Sequence, residues 1–231
     1  MSASIVGAAI FLILIPVIHL GKYPPNPSQG VSRTGYIVEA CLIIAGFLAI
    51  PYISFNLLWF SDWRSPYLLF GLLVPLVIEV IIRKRSLKVI GFAIPTDRKT
   101  IAIVIILLII LAISRLAVPL VRGEAFQFDI QRIISNCILF AYVEEVLFRG
   151  LLQTRLESLM GVVWSWVLSG LFFGFYHYYI HYLVPGRVLS PTNGFEMMYL
   201  TAFGLLLGVI FAKTRSLLPP FLIHAMNNFS L

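Results

Sequence analysis

ILFAYVEEVLFRGLLQTRL, residues 138–156, sets two adjacent glutamates and an arginine inside a run long enough to cross a bilayer. Ionised groups at that depth are expensive, so their presence argues for a task rather than for incidental charge. On a helix Glu145 and Arg149 are four residues apart and share a face, whereas Glu144 points about 100° away. Glu145 thus has a built-in cation that holds it ionised and fixes its rotamer. Glu144 has no local cation, and a carboxyl group held in an apolar site without one becomes a usable base or acid near neutral pH. The functional question is what faces Glu144.

Composition sets the class. Hydrophobic residues make up 60% of the chain and charged ones 12%, and the apolar residues fall in blocks. Each block is roughly twenty residues, the length that spans ~30 Å of hydrocarbon. The expected fold is all-α, a polytopic transmembrane helical bundle of about eight spans around an intramembrane polar cavity. The net charge of +7 would suggest nucleic acid in a soluble protein. Here the basic residues cluster between apolar blocks, which is an orientation signal and no nucleic-acid footprint. Cys41 and Cys137 both sit within apolar blocks, so neither a disulfide framework nor a cysteine zinc site is indicated.

The first block, Ser4 to Leu20, has no Lys or Arg before it and reads as a retained span with its N-terminus outside. A Pro/Gly-rich loop with Lys22 and Arg33 leads to Tyr36–Phe60, where Pro51 predicts a kink whose freed carbonyl needs a neighbouring helix. A loop with Asp62 and Arg64 precedes Pro66–Ile82, closed by Glu79 and Arg83 at a spacing that predicts a structural pair. The next loop carries Arg83, Lys84, Arg85, Lys88, Arg98 and Lys99 against Asp97 alone, and by the positive-inside rule it is cytoplasmic. Blocks Thr100–Val121, Ile130–Leu156, Val162–Tyr182, Phe195–Ala212 and Leu217 onward then alternate across the bilayer, with both ends outside. Arg155, Lys213 and Arg215 add to the cytoplasmic side; Arg64, Arg115, Arg122, Arg132 and Arg187 fall on the other. Block eight is short for a span, so it is either tilted or continued beyond Leu231. The expected division is residues 1–129, holding spans one to four, and residues 130–231, a catalytic core of spans five to eight within one membrane domain.

Block six, in SGLFFGFYHYYIHYL, places Phe173, His177 and His181 on one stripe. His181, near the outer end, reads as a packing histidine. Counting from the cytoplasmic ends at ~1.5 Å per residue, Glu144 lies roughly 18 Å deep and His177 roughly 23 Å. In FLIHAMNNFSL, His224 and Asn228 share a face at roughly 11 to 17 Å. A base, a partner to orient water and two neutral donors for a developing oxyanion make a complete set for hydrolysis.

These three groups, Glu144-Glu145-x-x-x-Arg149, Phe173-x-x-x-His177 and His224-x-x-x-Asn228, resemble the EExxxR, FxxxH and HxxxN motifs of the CPBP (Abi) family. That family includes the type II CAAX prenyl endopeptidases and proteins tied to bacteriocin processing and self-immunity. The resemblance covers the chain from about Ile130 onward. It implies a glutamate-dependent intramembrane peptidase in which Glu144 and His177 activate water and His224 with Asn228 stabilise the oxyanion. Glu145, Arg149 and Phe173 are then supporting residues. The implied substrate is a membrane-bound peptide or lipidated protein, CAAX-type and prenylated or not, met in the bilayer of a prokaryotic plasma membrane, with no nucleic-acid partner.

Two other classes use the same polar cluster. A non-catalytic immunity or scaffold protein would tolerate Glu144→Gln, and a proton-coupled transporter would give pH-dependent flux. No internal repeat supports the transporter. Glu144, His177 and His224 also make a respectable zinc shell. The HExxH spacing of common zinc peptidases is absent, and the expectation is catalysis without a metal or other cofactor.

Overall fold

The computed structural model describes residues 3–25, 32–56, 64–123, 129–186 and 191–229. Among these the chain forms eight helices and no strand. They are α1 (Ala3–His19), α2 (Arg33–Asn56), α3 (64–82), α4 (Arg98–Arg122), α5 (130–160), α6 (162–183), α7 (Pro191–Thr214) and α8 (Leu218–Asn228). Their bounds follow the apolar blocks to within a few residues at most ends. By length and composition, Arg33–Ser54, Arg98–Ala117 and Gly194–Thr214 are long and apolar enough to cross a membrane, and the protein is an integral membrane helical bundle.

Burial is arranged inside out from α5. Its residues 143–155 are buried all round, as expected of a helix with no lipid or water face. By contrast α4 turns Ile105, Ile106, Ile109, Ile110 and Ile113 outward, each more than half exposed. An apolar stripe of that length is covered by hydrocarbon in a membrane protein. Around α5, Phe47 of α2 packs on Phe148, and the ring of Tyr142 meets Phe221 of α8 edge-on. Three residues before Pro51 the Tyr179 hydroxyl of α6 donates to the Leu48 carbonyl at 2.8 Å, one residue past the Phe47 carbonyl that a proline at 51 cannot bond.

Helices α6 and α7 meet where Gly170 opposes Gly204, with Gly174 against Thr201 and Gly208 against Trp166 on either side. A Cβ at Gly204 would stand 2.8 Å from the Gly170 carbonyl oxygen, so only glycine lets the backbones approach this closely. The buried Gly204 and Gly208 carbonyls accept hydrogen bonds from α5, from Arg149 at 3.3 Å and from Gln153 at 2.9 Å. Two side chains one turn apart on α5 are thereby pinned to two carbonyls one turn apart on α7.

Three expectations about charge are corrected. Glu79 and Arg83 find other partners: Arg83 pairs with Glu39, and Glu79 with Arg155, which also binds Glu39 at 3.0 Å. Arg155 and Lys213, counted as loop charges, are each only 2% exposed. Lys213 crosses to the end of α1, where its Nζ bonds the carbonyls of Leu20, Gly21 and Lys22, supplying a cation to the negative end of that helix. Arg215 likewise takes Glu157 bidentately and the Pro24 carbonyl. The physical reason is the same in each case, because a buried charge must be paired. Asp62, Arg187 and Leu231 lie outside the described residues, as do the side chains of Arg64, Arg122 and Arg132.

Candidate active site

The Glu144–Glu145 pair sits on α5 between two stretches of widened, π-type turns, 133–140 and 146–153. Such turns carry the backbone hydrogen bond one residue further and re-aim the side chains around them, which is why they recur at functional sites. Glu144 faces inward toward α6 and α8. Its Oε2 lies 3.4 Å from His224 Nε2 and 3.8 Å from His177 Nε2. The second of these is longer than a direct hydrogen bond and short enough for one water to touch both atoms.

The two imidazoles are held by their other nitrogen. His177 Nδ1 is 2.9 Å from the Phe173 carbonyl of its own helix, and since a carbonyl only accepts, this nitrogen carries the proton. In the neutral ring this leaves the lone pair at Nε2, the atom on the side of Glu144. His224 Nδ1 is 2.8 Å from Glu145 Oε1. Glu145 is in turn 3.3 Å from the Nε of Arg149, a fully buried guanidinium that lies 4.9 Å from the centre of the Phe173 ring. Phe173 also packs against His177, tilted by 40° with 4.3 Å between ring centres, and meets His224 edge-on at 5.7 Å. One aromatic ring thus packs against both histidines and the arginine.

Asn228 closes the set. Its Nδ2 donates to the Asn136 carbonyl at 3.2 Å, which commits one of the two amide N–H groups and aims the side chain between α5 and α8. Glu144, His177, His224 and Asn228 all line one cavity of about 300 Å³. The structure therefore brings together the four side chains named from the sequence, on α5, α6 and α8, with Glu145, Arg149 and Phe173 packed behind them.

One relation departs from the sequence reading. The spacing of four pairs Glu145 with Arg149, and in the structure Glu145 also orients His224, so the two carboxylates share a histidine. The helical wheel of α5 by itself could not show a partner that lies in another helix. The cavity also takes in Asn136, His181, Glu196 and Asn227, which were not named as site residues. Asn136 had little legible signal: eight residues before Glu144 it falls about 80° round an ideal helix, and it lies in the widened turns of 133–140. Glu196, which accepts a hydrogen bond from Tyr182 at 2.7 Å, had none beyond being a lone acid at the head of an apolar block.

Among the described residues no group of three or more His, Cys, Asp or Glu side chains is placed to hold a metal ion. A larger cavity, about 800 Å³, lies toward the other end of the bundle between the 88–95 segment, Tyr142 and the start of α8. Among the described residues its walls hold no histidine or carboxylate.

No curated protein and no solved structure gives a match to the chain. Residues 126–230, which hold Glu144, Glu145, Arg149, Phe173, His177, His224 and Asn228, match the family model described as type II CAAX prenyl endopeptidase Rce1-like.

Proposed function

We propose that the protein is a glutamate-dependent intramembrane endopeptidase that hydrolyses a peptide bond in a membrane-associated substrate of the prenylated CAAX type or a lipid-anchored relative of it. The observation that carries this reading is the approach of Glu144 Oε2 to the Nε2 atoms of both His177 and His224 at the wall of a cavity inside an apolar bundle. Glu144 takes a proton from a water that also contacts His177, and the hydroxide formed attacks the peptide carbonyl. The tetrahedral oxygen is met by the uncommitted N–H of Asn228 and by His224. Glu144 then returns the proton to the leaving amine. No metal enters this scheme.

A His224 that donates at Nε2 as well as at Nδ1 carries two ring protons, and the Glu145 carboxylate beside it balances that charge. The experiment is incubation of the purified protein with a farnesylated CAAX peptide and mass spectrometry of the products. Cleavage that disappears in Glu144→Gln supports the reading. A full-length peptide recovered unchanged, with a folded protein, turns the reading toward a non-catalytic immunity or scaffold role.

A further inference from the structure

Among the described residues, the larger cavity of about 800 Å³ has no lining residue in common with the one that holds Glu144. Tyr142, on its wall, and Glu144 are two residues apart on α5, which turns their side chains about 200° from each other. The cavity is a groove between two short segments, 91–95 in the connection from α3 to α4 and 216–218 at the head of α8. The Leu217 N–H donates to the Gly91 carbonyl at 2.9 Å and the Thr96 N–H to the Thr214 carbonyl at 3.4 Å, which ties the segments together. Gly91 has a φ of 97°, and a Cβ there would stand 2.5 Å from the Phe211 ring, so this turn needs glycine. The rings of Phe92, Tyr142 and Phe221 meet edge-on in series along one wall.

Apolar side chains of the groove are turned outward: Ile94 is 86% exposed, and Phe92 and Leu218 are exposed as well. Arg98 opens a helix long and apolar enough to cross a membrane, which puts the connection before it at the level of the lipid headgroups. Lys88 lies on the groove, exposed, and has no carboxylate partner among the described residues. Arg83, Arg155 and Arg215, by contrast, are each paired with a glutamate. Ser216, wholly buried on the same wall, accepts the Leu218 N–H at 3.3 Å through its hydroxyl oxygen and keeps its own proton to donate.

An apolar groove with an unpaired ammonium at headgroup level suits a ligand that has a hydrocarbon tail and an anionic head. We propose that the groove seats one anionic phospholipid, with an acyl chain along Phe92, Ile94 and Phe221 and the phosphate on Lys88. A substrate's own prenyl anchor fits less well, since a thioether-linked isoprenoid carries no anion where its chain begins. Tyr142, moreover, turns the groove away from Glu144. The lipid is then a resident of the fold and not a substrate, and the inference stands whether or not the protein is a peptidase.

The test is native mass spectrometry of the full chain, purified in detergent and delipidated, with palmitoyl-oleoyl phosphatidylglycerol or the zwitterionic phosphatidylcholine of the same chains. The expected result is one phosphatidylglycerol held per protein, with phosphatidylcholine bound about tenfold more weakly. Lys88→Glu should weaken phosphatidylglycerol by about the same factor. Lys84→Glu makes the same change at an exposed lysine outside the groove and should leave the affinity little altered. Ile94→Asp, at an exposed position where the fold tolerates the change, should weaken both lipids. Equal losses in Lys88→Glu and Lys84→Glu would reduce the effect to general attraction of a basic surface and overturn the site. Equal retention of the two lipids, or of neither, overturns the anionic headgroup, and unaltered binding to Ile94→Asp overturns the seat of the chain. Displacement of phosphatidylglycerol by a farnesylated CAAX peptide would hand the groove to a substrate anchor and overturn the proposal.

Discussion

His224 Nδ1 lies 2.8 Å from Glu145 Oε1 although the two residues are 79 apart in the chain, and this contact decides what the other face of the ring can do. Because the carboxylate only accepts, the Nδ1 proton is committed to it, and a donor at Nε2 requires a second ring proton. Glu145→Gln keeps an acceptor for Nδ1 and removes the charge. The expected outcome is a kcat lower by about 10²-fold, the scale of one lost oxyanion donor, with KM little changed. Steady-state kinetics on the folded fraction checks it, and an unchanged kcat would free His224 from an ionic role.

Glu144→Gln is isosteric, in a position only 6% exposed, and removes the proposed base while leaving an amide beside the two imidazoles. Loss of a positioned base costs about 10²–10⁴-fold in rate. Cleavage should fall by at least that factor while the unfolding midpoint in detergent stays within the range of the parent protein. A well-folded Glu144→Gln protein of full activity would refute the assignment.

The sequence made the class, the eight helices and the four facing side chains legible because each rests on a local pattern. Block length gives helices; spacing of four gives shared faces for Glu145 with Arg149, Phe173 with His177 and His224 with Asn228. What it could not show are relations made between helices. The Glu145–His224 bond, the exchange that sends Arg83 to Glu39 and Glu79 to Arg155, and the anchoring of Lys213 on the end of α1 each join elements whose neighbours no single-helix pattern specifies. The widened turns of α5 had no signal of this kind either, and they bear directly on where Glu144 points. The close α6–α7 crossing was in plain view, as SGLFFG and GLLLG, but a glycine pair announces close packing without saying which helix it packs against.

Arg149 is wholly buried, paired with Glu145, bonded to the Gly204 carbonyl and stacked against Phe173. Arg149→Ala leaves Glu145 as a buried carboxylate without its cation and opens a void beside the Phe173 ring. Removing one member of a buried pair costs about 3–5 kcal/mol. The variant should unfold at distinctly lower denaturant or temperature than Glu144→Gln, and its residual activity should be low even in the folded fraction, since His224 loses a fixed partner. Equal stability of the two variants would show that the Arg149 guanidinium is not what holds α5 to α7.

Metal dependence separates two uses of the same three side chains. With Glu144 as base between His177 and His224, exhaustive chelation should leave activity unchanged, and elemental analysis of the active protein should find no stoichiometric zinc. Activity lost on chelation and restored by zinc would instead make Glu144, His177 and His224 ligands.

The α6–α7 crossing gives a test that leaves every polar side chain in place. Gly204→Ala would put a Cβ 2.8 Å from the Gly170 carbonyl oxygen and 2.9 Å from Phe173 Cβ. Neither is the free end of a flexible side chain, so the helices must part. Forcing an extra methyl into a packed contact costs about 1–3 kcal/mol. The geometric effect is larger than the energetic one, because Phe173 carries the carbonyl that fixes His177 and the ring that backs His224 and Arg149. Activity per folded molecule should therefore fall at least tenfold (about 1.4 kcal/mol of barrier), since small misplacements of a catalytic group are costly in rate. Gly161→Ala, at a turn with open space around it and φ of 85°, should carry the backbone strain of a non-glycine residue but keep its activity per folded molecule. Comparable activity losses in the two variants would mean that the crossing does not position the site.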